Sequence, residues 1–419
     1  MADAQSSNVH AVTLDEVVTT VIMARVTDFF GFFVYGIASA LVFPQLFFPF
    51  LDPLSGTLAS FSLFALAFVV RPFASVGGRW IEARIGKISK ISIALLILGT
   101  ATVAIGLLPG YDEIGILAPF LLAFLRILQG VGLGGSWDGL TLQLQNAASK
   151  SRKGTYAMVP QLGGPIGFIV AAALFYVLTG FLTEDEFMNY GWRFAFFAVM
   201  AVNVVSLFAR IRLLQTDFGA DEETFKSAPY FETVRTQWRP ILLSAMVPLA
   251  SYALFHMVTI FPLGYSMLYT DYDIDIIVLL QLVGGVFACL TCVLSGVLAN
   301  RYPKRLVLWI SIILISLLCL TLPLLQTAPA VYILLGFTVL GLAYGQASAI
   351  VPNRYPRKYQ YSGTALSINL SWIVGAAFAP LVGLALTSMF GLWAASLYLM
   401  SGVFVTGLAL LLLGRQLAE

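Results

Sequence analysis

Long apolar stretches alternate with short polar or charged connections along almost the whole chain. A helix that crosses a bilayer needs about 20 mostly apolar residues, and the pattern contains twelve such stretches. They lie near 17–47, 56–78, 89–109, 115–147, 154–181, 191–215, 239–268, 275–299, 305–326, 329–352, 361–389 and 391–414. Several are longer than one straight span requires, which predicts bent or broken helices. The pattern therefore predicts an all-α membrane protein with twelve transmembrane helices.

The composition supports this interpretation and excludes a soluble protein. Of the 419 residues, 59% are hydrophobic and 11% are charged, whereas soluble domains carry roughly 25% charged residues. The first residues, MADAQSSNVHAVTLDEVV, lack the basic-then-apolar order of a cleavable signal peptide. Residues 1–16 are therefore predicted to form a short cytoplasmic tail. The cysteines, Cys289, Cys292 and Cys319, all lie in apolar runs, so no disulfide framework is indicated.

The basic residues divide the connections into two kinds. All but four of the 23 Lys and Arg residues fall in alternate connections or in the C-terminal tail, 415–419. These basic positions lie within 79–90, 150–153, 210–239, 301–305 and 354–358, and at 415. The opposite connections contain acidic residues and no Lys or Arg. Because positive residues stay on the cytoplasmic side of a membrane, both termini are predicted to face the cytoplasm.

The longest connection, 216–238, divides the chain into two sets of six spans, 17–215 and 239–414. The two halves echo each other in sequence. RWIEARIGK at 79–87 and GVLANRYPK at 296–304 both follow the second span of their half. A six-plus-six repeat with a long central loop is the organisation of major facilitator transporters. The sequence therefore predicts a major facilitator fold with two pseudo-symmetric six-helix halves.

Residues 106–135, GLLPGYDEIGILAPFLLAFLRILQGVGLGG, resemble the metabolite:proton symporter family of the major facilitator superfamily. Its members typically read LLP-x-Y-x-x-IG-x-x-AP, followed by LR-x-x-QG-x-x-x-GG-E-W/Y-GG. Further segments similar to the family are FFVYGIASALVFPQLFFP at 32–49, VVRPF at 69–73, GWRFAF at 191–196 and RYPRKYQYSGTALSINLSWIVGAAFAP at 354–380. The family includes carriers of citrate, 2-oxoglutarate, shikimate, proline and betaine. The resemblance implies proton-coupled transport of a small metabolite.

Several charged positions of the family's motifs differ in this chain. The family's Glu-Trp-Tyr-Asp in the first span reads DFFG at 28–31, so the first acid is shortened and the second is lost. The family's GG-E-W-GG becomes GGSWDG, which places Ser136 at the glutamate position and a new acid at Asp138. The cytoplasmic G-x-x-x-D-R-x-G-R-K motif loses its Gly and Asp, with Glu82 as the candidate replacement. Gating roles are predicted for Arg71, Glu82, Arg84, Asp138 and Arg301.

Charged residues inside the predicted spans are candidates for function, because a central charge costs about 2.5–3.5 kcal/mol on insertion scales. Asp28 and Arg126, in spans one and four, both fall near mid-membrane and are expected to pair. Protonation of Asp28 would break a functional pair, whereas a permanent pair would only hold the two spans together. Asp138 lies nearer the cytoplasmic end, where Arg71 or Arg79 is its expected partner in a gating or structural role.

Two further titratable or charged residues lie in predicted spans. Arg25, one helical turn from Asp28, either contacts an anionic substrate or neutralises Asp28. His256 is a candidate for proton coupling because imidazole titrates near neutral pH, and the alternative is a hydrogen-bonded residue within the bundle. Other residues of spans one, five, seven and eleven are predicted to line the substrate cavity with Arg25 and Arg126, or else to pack between helices: Tyr35, Gln161, Tyr252, Asn369 and Trp372.

Two patterns that could hold a cofactor are interpreted as packing. Cys289 and Cys292 form C-x-x-C, with His256 and Met257 one span away, and such side chains can carry soft copper ions. Small cysteines, however, commonly pack in apolar interiors. The glycine-rich GVGLGG at 130–135 lies within a span and lacks the strand-then-helix context of a nucleotide loop. Glycines at 130, 134, 135 and 139 instead have the spacing that allows close helix approach. No metal or other cofactor is predicted.

The sequence thus predicts a secondary active transporter of the cell inner membrane. It would move a small organic acid or related polar metabolite with protons by alternating access. The alternatives are a carrier of a zwitterion such as proline or betaine, an exporter, a non-transporting sensor or a metal carrier. No pattern of catalytic residues supports an enzyme. The predicted partners are a small-molecule substrate, protons and the lipid bilayer, without nucleic acid, and the chain is expected to be a monomer.

Overall fold

The computed structural model describes residues 14–136, 139–146, 148–215 and 228–413, and this part of the chain is helical without β-strands. Nine of its helices are long and apolar enough to cross a membrane, a bent pair forms a tenth, and α9 and α10 are shorter. The helices are α1 Leu14–Leu41, α2 Pro53–Ile85, α3 Lys87–Gly106, α4 Leu117–Gly135, α5 Lys153–Phe181, α6 Arg193–Gln215, α7 Tyr230–Met246 with Leu249–Tyr269, α8 Ile274–Arg301, α9 Lys304–Leu318, α10 Pro329–Tyr344, α11 Arg357–Phe390 and α12 Leu392–Leu412.

The longest predicted stretches are broken, as their length suggested. The first ends at Leu41, and a separate short helix, Phe43–Phe47, begins with Pro44 in its first turn. Proline is tolerated there because its missing N–H has no partner at a helix start. The fourth stretch ends at Gly135 and is followed by the short helix Leu140–Asn146. The helix pair that forms α7 bends by 44°.

Helical turns that begin at Tyr230 fall inside the predicted central connection, 216–238, and a kink at Gln237 (φ −119°, ψ 20°) separates them from the rest of Tyr230–Met246. Residues 216–227 of that connection lie outside the described residues, as do the predicted tails except for 14–16. The start of α7 carries Glu232 and Arg235 and is polar. A hydropathy pattern cannot place such a helix start, since it reports only the apolar part of a helix.

The connections at one end of the bundle carry the basic residues of 79–90, 150–153, 301–305 and 354–358, and this end is here called the basic end. The opposite connections, including 48–52 and 182–191, form the acidic end. One acid there begins a helix, because Asp52 accepts a hydrogen bond from Ser55 N at 3.1 Å. That contact holds the pKa of Asp52 below its usual value, and a carboxylate also complements the positive end of a helix dipole.

Glycines on α4 allow it to lie directly against α2 and α3. A Cβ on Gly130 would lie 2.8 Å from Ala67 O, and one on Gly134 would lie 2.7 Å from the Ala74 Cβ. A Cβ on Gly132 would lie 2.7 Å from the Leu98 Cβ on α3. These glycines therefore serve close helix packing, which brings Arg126 of α4 into the interior of the first half.

Replacing Gly134 with alanine is expected to lower the melting temperature by several degrees, because the added methyl group meets the backbone of α2. Overpacking of this kind costs about 1–3 kcal/mol. Gly77 on α2 has no atom within 4 Å of the Cβ position, so Gly77→Ala is the matched control. That control should keep or raise the melting temperature, since alanine favours a helix over glycine by about 1 kcal/mol. Thermal unfolding of both variants in detergent measures the difference, and equal stabilities would contradict the close packing.

The first half of the chain, before residues 216–227, contacts the second half at both ends of the bundle. At the basic end, Asn300 of α8 accepts hydrogen bonds from Gly154 N at 2.9 Å and Thr155 N at 3.2 Å, at the start of α5. Its amide also donates to Thr155 Oγ1 at 2.7 Å. These three residues are here called the Asn300 clamp. At the acidic end, Thr179 Oγ1 donates to Asp275 Oδ1 at 2.6 Å.

Candidate substrate site

A polar cavity lies between α1, α2, α4, α6 and α11, with about 810 Å³ of free space including its open side. It extends from Phe32 in the middle of α1 towards Val21 and Thr141, which lie nearer the basic end. The described residues that line it are Val21, Ala24, Arg25, Asp28, Phe29, Phe32, Ala67, Phe68, Arg71, Leu133, Ser136, Thr141, Arg210 and Trp372. A cavity between helices of both halves is the place where a transporter of this kind binds substrate.

The charged residues of this cavity are mostly basic. Asp28 Oδ1 accepts a hydrogen bond from Arg210 Nη2 at 2.7 Å, and Arg25 Nη1 lies 3.9 Å from Asp28 Oδ2. Arg210 Nη2 also donates to Ala24 O at 2.9 Å. With Arg71, the lining holds three guanidinium groups and one carboxylate, which leaves a formal charge of two positive units among the described residues. Such a cavity attracts anions.

The Arg71 guanidinium of α2 lines the cavity and makes no hydrogen bond or ion pair with any residue in the described ranges. It was predicted to gate, with Asp138 as one expected partner, and Asp138 lies outside the described residues. A cation inside a membrane protein normally faces water or a group of opposite charge. The Arg71 guanidinium is therefore positioned to bind a ligand carboxylate in the cavity.

Four aromatic rings line the cavity beside the arginines and are here called the aromatic floor: Phe29, Phe32, Phe68 and Trp372. Trp372 begins a π-helical turn of α11, Trp372–Ala377, a feature that often occurs at functional sites. Its indole stacks on Phe68 with ring centroids 5.9 Å apart and on Tyr252 at 4.3 Å. The floor thus offers an apolar surface from both halves next to the charged groups.

His256 of α7 lies behind the aromatic floor and does not line the cavity. It is fully buried, with its ring centroid 5.3 Å from that of Phe32, 5.2 Å from Phe64 and 6.0 Å from Phe68. Neither ring nitrogen has a hydrogen-bond partner within the described residues. The rings of Phe32 and Phe68 therefore lie between His256 and the cavity.

The predicted ion pair between Asp28 and Arg126 is not formed, and that prediction is wrong for this structure. Arg210 and Arg25 bind Asp28 instead. Arg126 is buried, donates to Gln129 Oε1 at 2.9 Å and to Phe64 O at 3.0 Å, and lies 3.7 Å from the centroid of the Tyr35 ring. Its charge is therefore spread over neutral acceptors and an aromatic face.

Arg210 is the charged residue of the cavity that the sequence analysis missed. It was grouped with the basic residues of the following connection, 210–239, whereas the structure buries it within α6 with 2% of its surface exposed. Its position inside the predicted span 191–215 is the signal that could have identified it. A buried arginine needs a partner, and Asp28 on α1 is that partner.

The family model of the Major Facilitator Superfamily matches residues 29–371. The chain belongs to the major facilitator superfamily. The protein is therefore a multi-pass membrane transporter and not an enzyme. The predicted fold class is confirmed. The inner membrane metabolite transport protein YhjE of Escherichia coli K12 is 33% identical to it over 412 residues, covering 95% of this chain and 93% of that protein.

Two further relatives of this chain come from the same organism. The shikimate transporter of Escherichia coli K12 is 27% identical, covering 93% of this chain and 92% of that protein. The proline/betaine transporter of the same strain is 25% identical, covering 94% of this chain and 82% of that protein. The resemblance to the metabolite symporter family that was inferred from residues 106–135 is confirmed.

Solved structures confirm the fold of the chain. A D-xylose-proton symporter matches it with a TM-score of 0.70 and 15% identity, over 93% of this chain and 96% of that chain. The inward-open conformation of the xylose transporter XylE from E. coli matches with a TM-score of 0.67 and 12% identity, over 94% and 96% of the two chains. At these identities the likeness concerns the fold alone.

Of the residues predicted to bind substrate, Arg25 and Trp372 line the cavity. The others lie around it and bind protein groups. Gln161 Nε2 donates to Ser348 Oγ at 2.6 Å, and Asn369 Nδ2 donates to Ser75 Oγ at 3.3 Å. Both hydrogen bonds join the two halves. Tyr35 lies under Arg126, and Tyr252 supports Trp372 from behind.

Two of the described gating candidates, Glu82 and Arg84, contact groups in their own half of the chain. Glu82 Oε2 accepts from Lys90 Nζ at 2.7 Å, which joins α2 to α3. The Arg84 guanidinium lies 3.7 Å from the centroid of the Trp80 ring on the same helix, and Arg301 is exposed at the end of α8. No ion pair between the halves is formed by Glu82, Arg84 or Arg301 among the described residues, and a gating role for these residues stays a prediction.

The described residues include no group of three or more His, Cys, Asp or Glu side chains placed to hold a metal ion. Cys289 and Cys292 are free thiols on α8. A Cβ on Gly345, just after α10, would lie 3.1 Å from Cys292 Sγ. Cys292 therefore packs between α8 and α10, in agreement with the interpretation of this motif as packing.

Proposed function

We propose that the chain is an inner-membrane symporter that moves a small organic anion together with protons. The observation that carries this proposal is the cavity in which Arg25, Arg71 and Arg210 face a single described carboxylate, Asp28. The relatives named as an inner membrane metabolite transport protein and a shikimate transporter support a small metabolite as the substrate. The basic end faces the cytoplasm in this proposal, by the positive-inside rule.

Proton coupling follows from the contact between Asp28 and Arg210. Protonation of Asp28 removes the carboxylate that neutralises Arg210 and raises the formal charge of the cavity by one unit. A substrate carboxylate then binds more strongly, because it replaces the lost negative charge. Linkage is reciprocal, so a bound anion also favours protonation of Asp28. Proton and anion would therefore load together, and the two six-helix halves would then rock about them.

The cavity favours an anion over a zwitterion. Ser136 lines it at the position where the resembled family carries glutamate, so the lining lacks one negative charge of the family pattern. The aromatic floor would contact the apolar part of the substrate while Arg71 and Arg25 bind its carboxylate.

A zwitterion such as proline or betaine is the second candidate. Two observations favour it, namely the proline/betaine transporters among the relatives and the aromatic floor, since aromatic faces attract quaternary ammonium groups. Three arginines in the same cavity would repel that ammonium group, which places the zwitterion second.

Uptake into proteoliposomes under an imposed inward proton gradient tests the proposal. Labelled dicarboxylates, tricarboxylates, aromatic acids, proline and betaine are offered in turn, with protein-free liposomes and an added protonophore as controls. We expect an organic acid to accumulate above its outside concentration and the protonophore to abolish the accumulation. Accumulation of a zwitterion would favour the second candidate, and equilibration without accumulation would contradict proton coupling.

A further inference from the structure

A second, smaller cavity lies inside the first half, between α1, α3, α4 and α6. It has a volume of about 10 Å³, close to the least that one water molecule needs, and is lined by Asp28 together with Arg126, Gln129 and Asn203. Asp28 belongs to both cavities. This carboxylate therefore stands between the substrate cavity on one side and a buried polar pocket on the other.

The pocket presents polar atoms that have no hydrogen-bond partner among the described residues. Asn203 of α6 is 3% exposed, and neither Nδ2 nor Oδ1 of its amide has a hydrogen-bond partner. Arg126 uses Nη1 and Nη2 for Gln129 and Phe64, while its Nε has no partner. Buried polar atoms in proteins are nearly always hydrogen-bonded, so unpartnered atoms on residues that line a common cavity indicate a bound molecule.

We propose that this pocket binds water between Asp28 and Arg126, held by the Asn203 amide and Arg126 Nε. A buried water needs two to four polar partners, and the amide, the Nε group and the Asp28 carboxylate supply them. This inference rests on the proposed function, because it makes Asn203 a positioning residue for the proton acceptor. The effect of Arg126 on Asp28 passes through this water, not through a direct ion pair.

Every described ionisable group that faces Asp28 is an arginine: Arg25 on its own helix, Arg71 on α2, Arg126 on α4 and Arg210 on α6. The neighbouring helices α3 and α11 contribute Leu98 and Trp372 to the two cavities, and neither residue titrates. His256 of α7 lies behind Phe32. Arginine stays charged over the working pH range, so the hydration of Asp28 is the variable that Asn203 controls.

Asn203→Leu removes the amide with little change in side-chain shape and is the decisive variant. We expect the pH of half-maximal proton-driven uptake to rise by about one unit, because a carboxylate that loses hydration keeps its proton to higher pH. Asn203→Ser retains a polar group and space for water, and should restore most of the wild-type profile. Val204→Leu, on the exposed side of the same helix, is the control and should leave the profile unchanged.

The melting temperature reports the water independently of transport. If the pocket binds water, Asn203→Leu loses its hydrogen bonds and the melting temperature falls or stays constant. A higher melting temperature would show a dry pocket, since an apolar residue then replaces an unsatisfied amide, and would overturn the proposal. An unchanged pH profile would overturn the link to Asp28. Failure of the proposed function has a different signature, namely wild-type uptake without any dependence on the proton gradient, and it would remove the proton-linked role of Asn203 whatever the melting temperature.

Discussion

Replacing Asp28 with asparagine is expected to abolish proton-driven accumulation while substrate exchange across the membrane continues. Asparagine resembles the protonated carboxyl group, and its side-chain oxygen can still accept the hydrogen bond from Arg210 that Asp28 accepts at 2.7 Å. The cavity then keeps its extra positive charge at every pH. Binding of the anion should become independent of pH, and the site should no longer release a proton.

Two measurements on the same proteoliposomes separate these effects. Counterflow exchange of labelled substrate at equal pH on both sides should proceed at a rate comparable with that of the wild type. Accumulation under a proton gradient should fall to the level of simple equilibration. Asp112→Asn, in an exposed acid of the connection between α3 and α4, is the matched control and should leave both activities intact. Gradient-driven accumulation by Asp28→Asn would show that another group carries the proton.

Arg71→Gln is expected to raise the KM for the anionic substrate by about tenfold to 150-fold. The loss of one hydrogen bond to a charged group corresponds to about 1.5–3 kcal/mol, and about 1.4 kcal/mol changes a binding constant tenfold. The Arg71 guanidinium has no hydrogen bond or ion pair to the rest of the described chain, so the melting temperature should hardly change. Weak binding with intact stability would mark a residue that binds substrate.

Concentration-dependent uptake measures this change, with Arg84→Gln as the matched control. Arg84 lies on the same helix, but its guanidinium stacks on Trp80 outside the cavity. Its removal should leave the KM unchanged. An unaltered KM in Arg71→Gln, with the control also unaltered, would mean that the substrate binds elsewhere.

The fold was accessible from the sequence because lipid leaves few choices. A backbone in hydrocarbon must satisfy its own hydrogen bonds, so each long apolar stretch has to be helical. The breaks inside these stretches were less accessible. The separate helix that begins at Phe43 and the positive φ of Gly139, +73°, are local backbone features that a hydropathy pattern does not report.

The candidate site was accessible only in part. The cost of a charge in the membrane pointed to Asp28, Arg25 and Arg126, and the first two line the substrate cavity. Which arginine binds Asp28 depends on how α6 is rotated against α1, and one sequence does not contain that rotation. Asn203 gave no signal at all, because a neutral amide carries little insertion cost and only the structure shows that its atoms lack partners.

The Asn300 clamp has a consequence for the conditions under which the carrier works. Its hydrogen bonds join an amide to backbone N–H groups and a hydroxyl, and Gln346 adds a neutral bond to Gly154 O at 3.1 Å. Dissolved ions screen exposed ion pairs over a Debye length of about 8 Å at physiological salt, but they hardly weaken contacts between uncharged groups. These bonds across the basic end would therefore be equally strong in dilute and in concentrated salt, whereas ion pairs at the same place would weaken as the salt concentration rises.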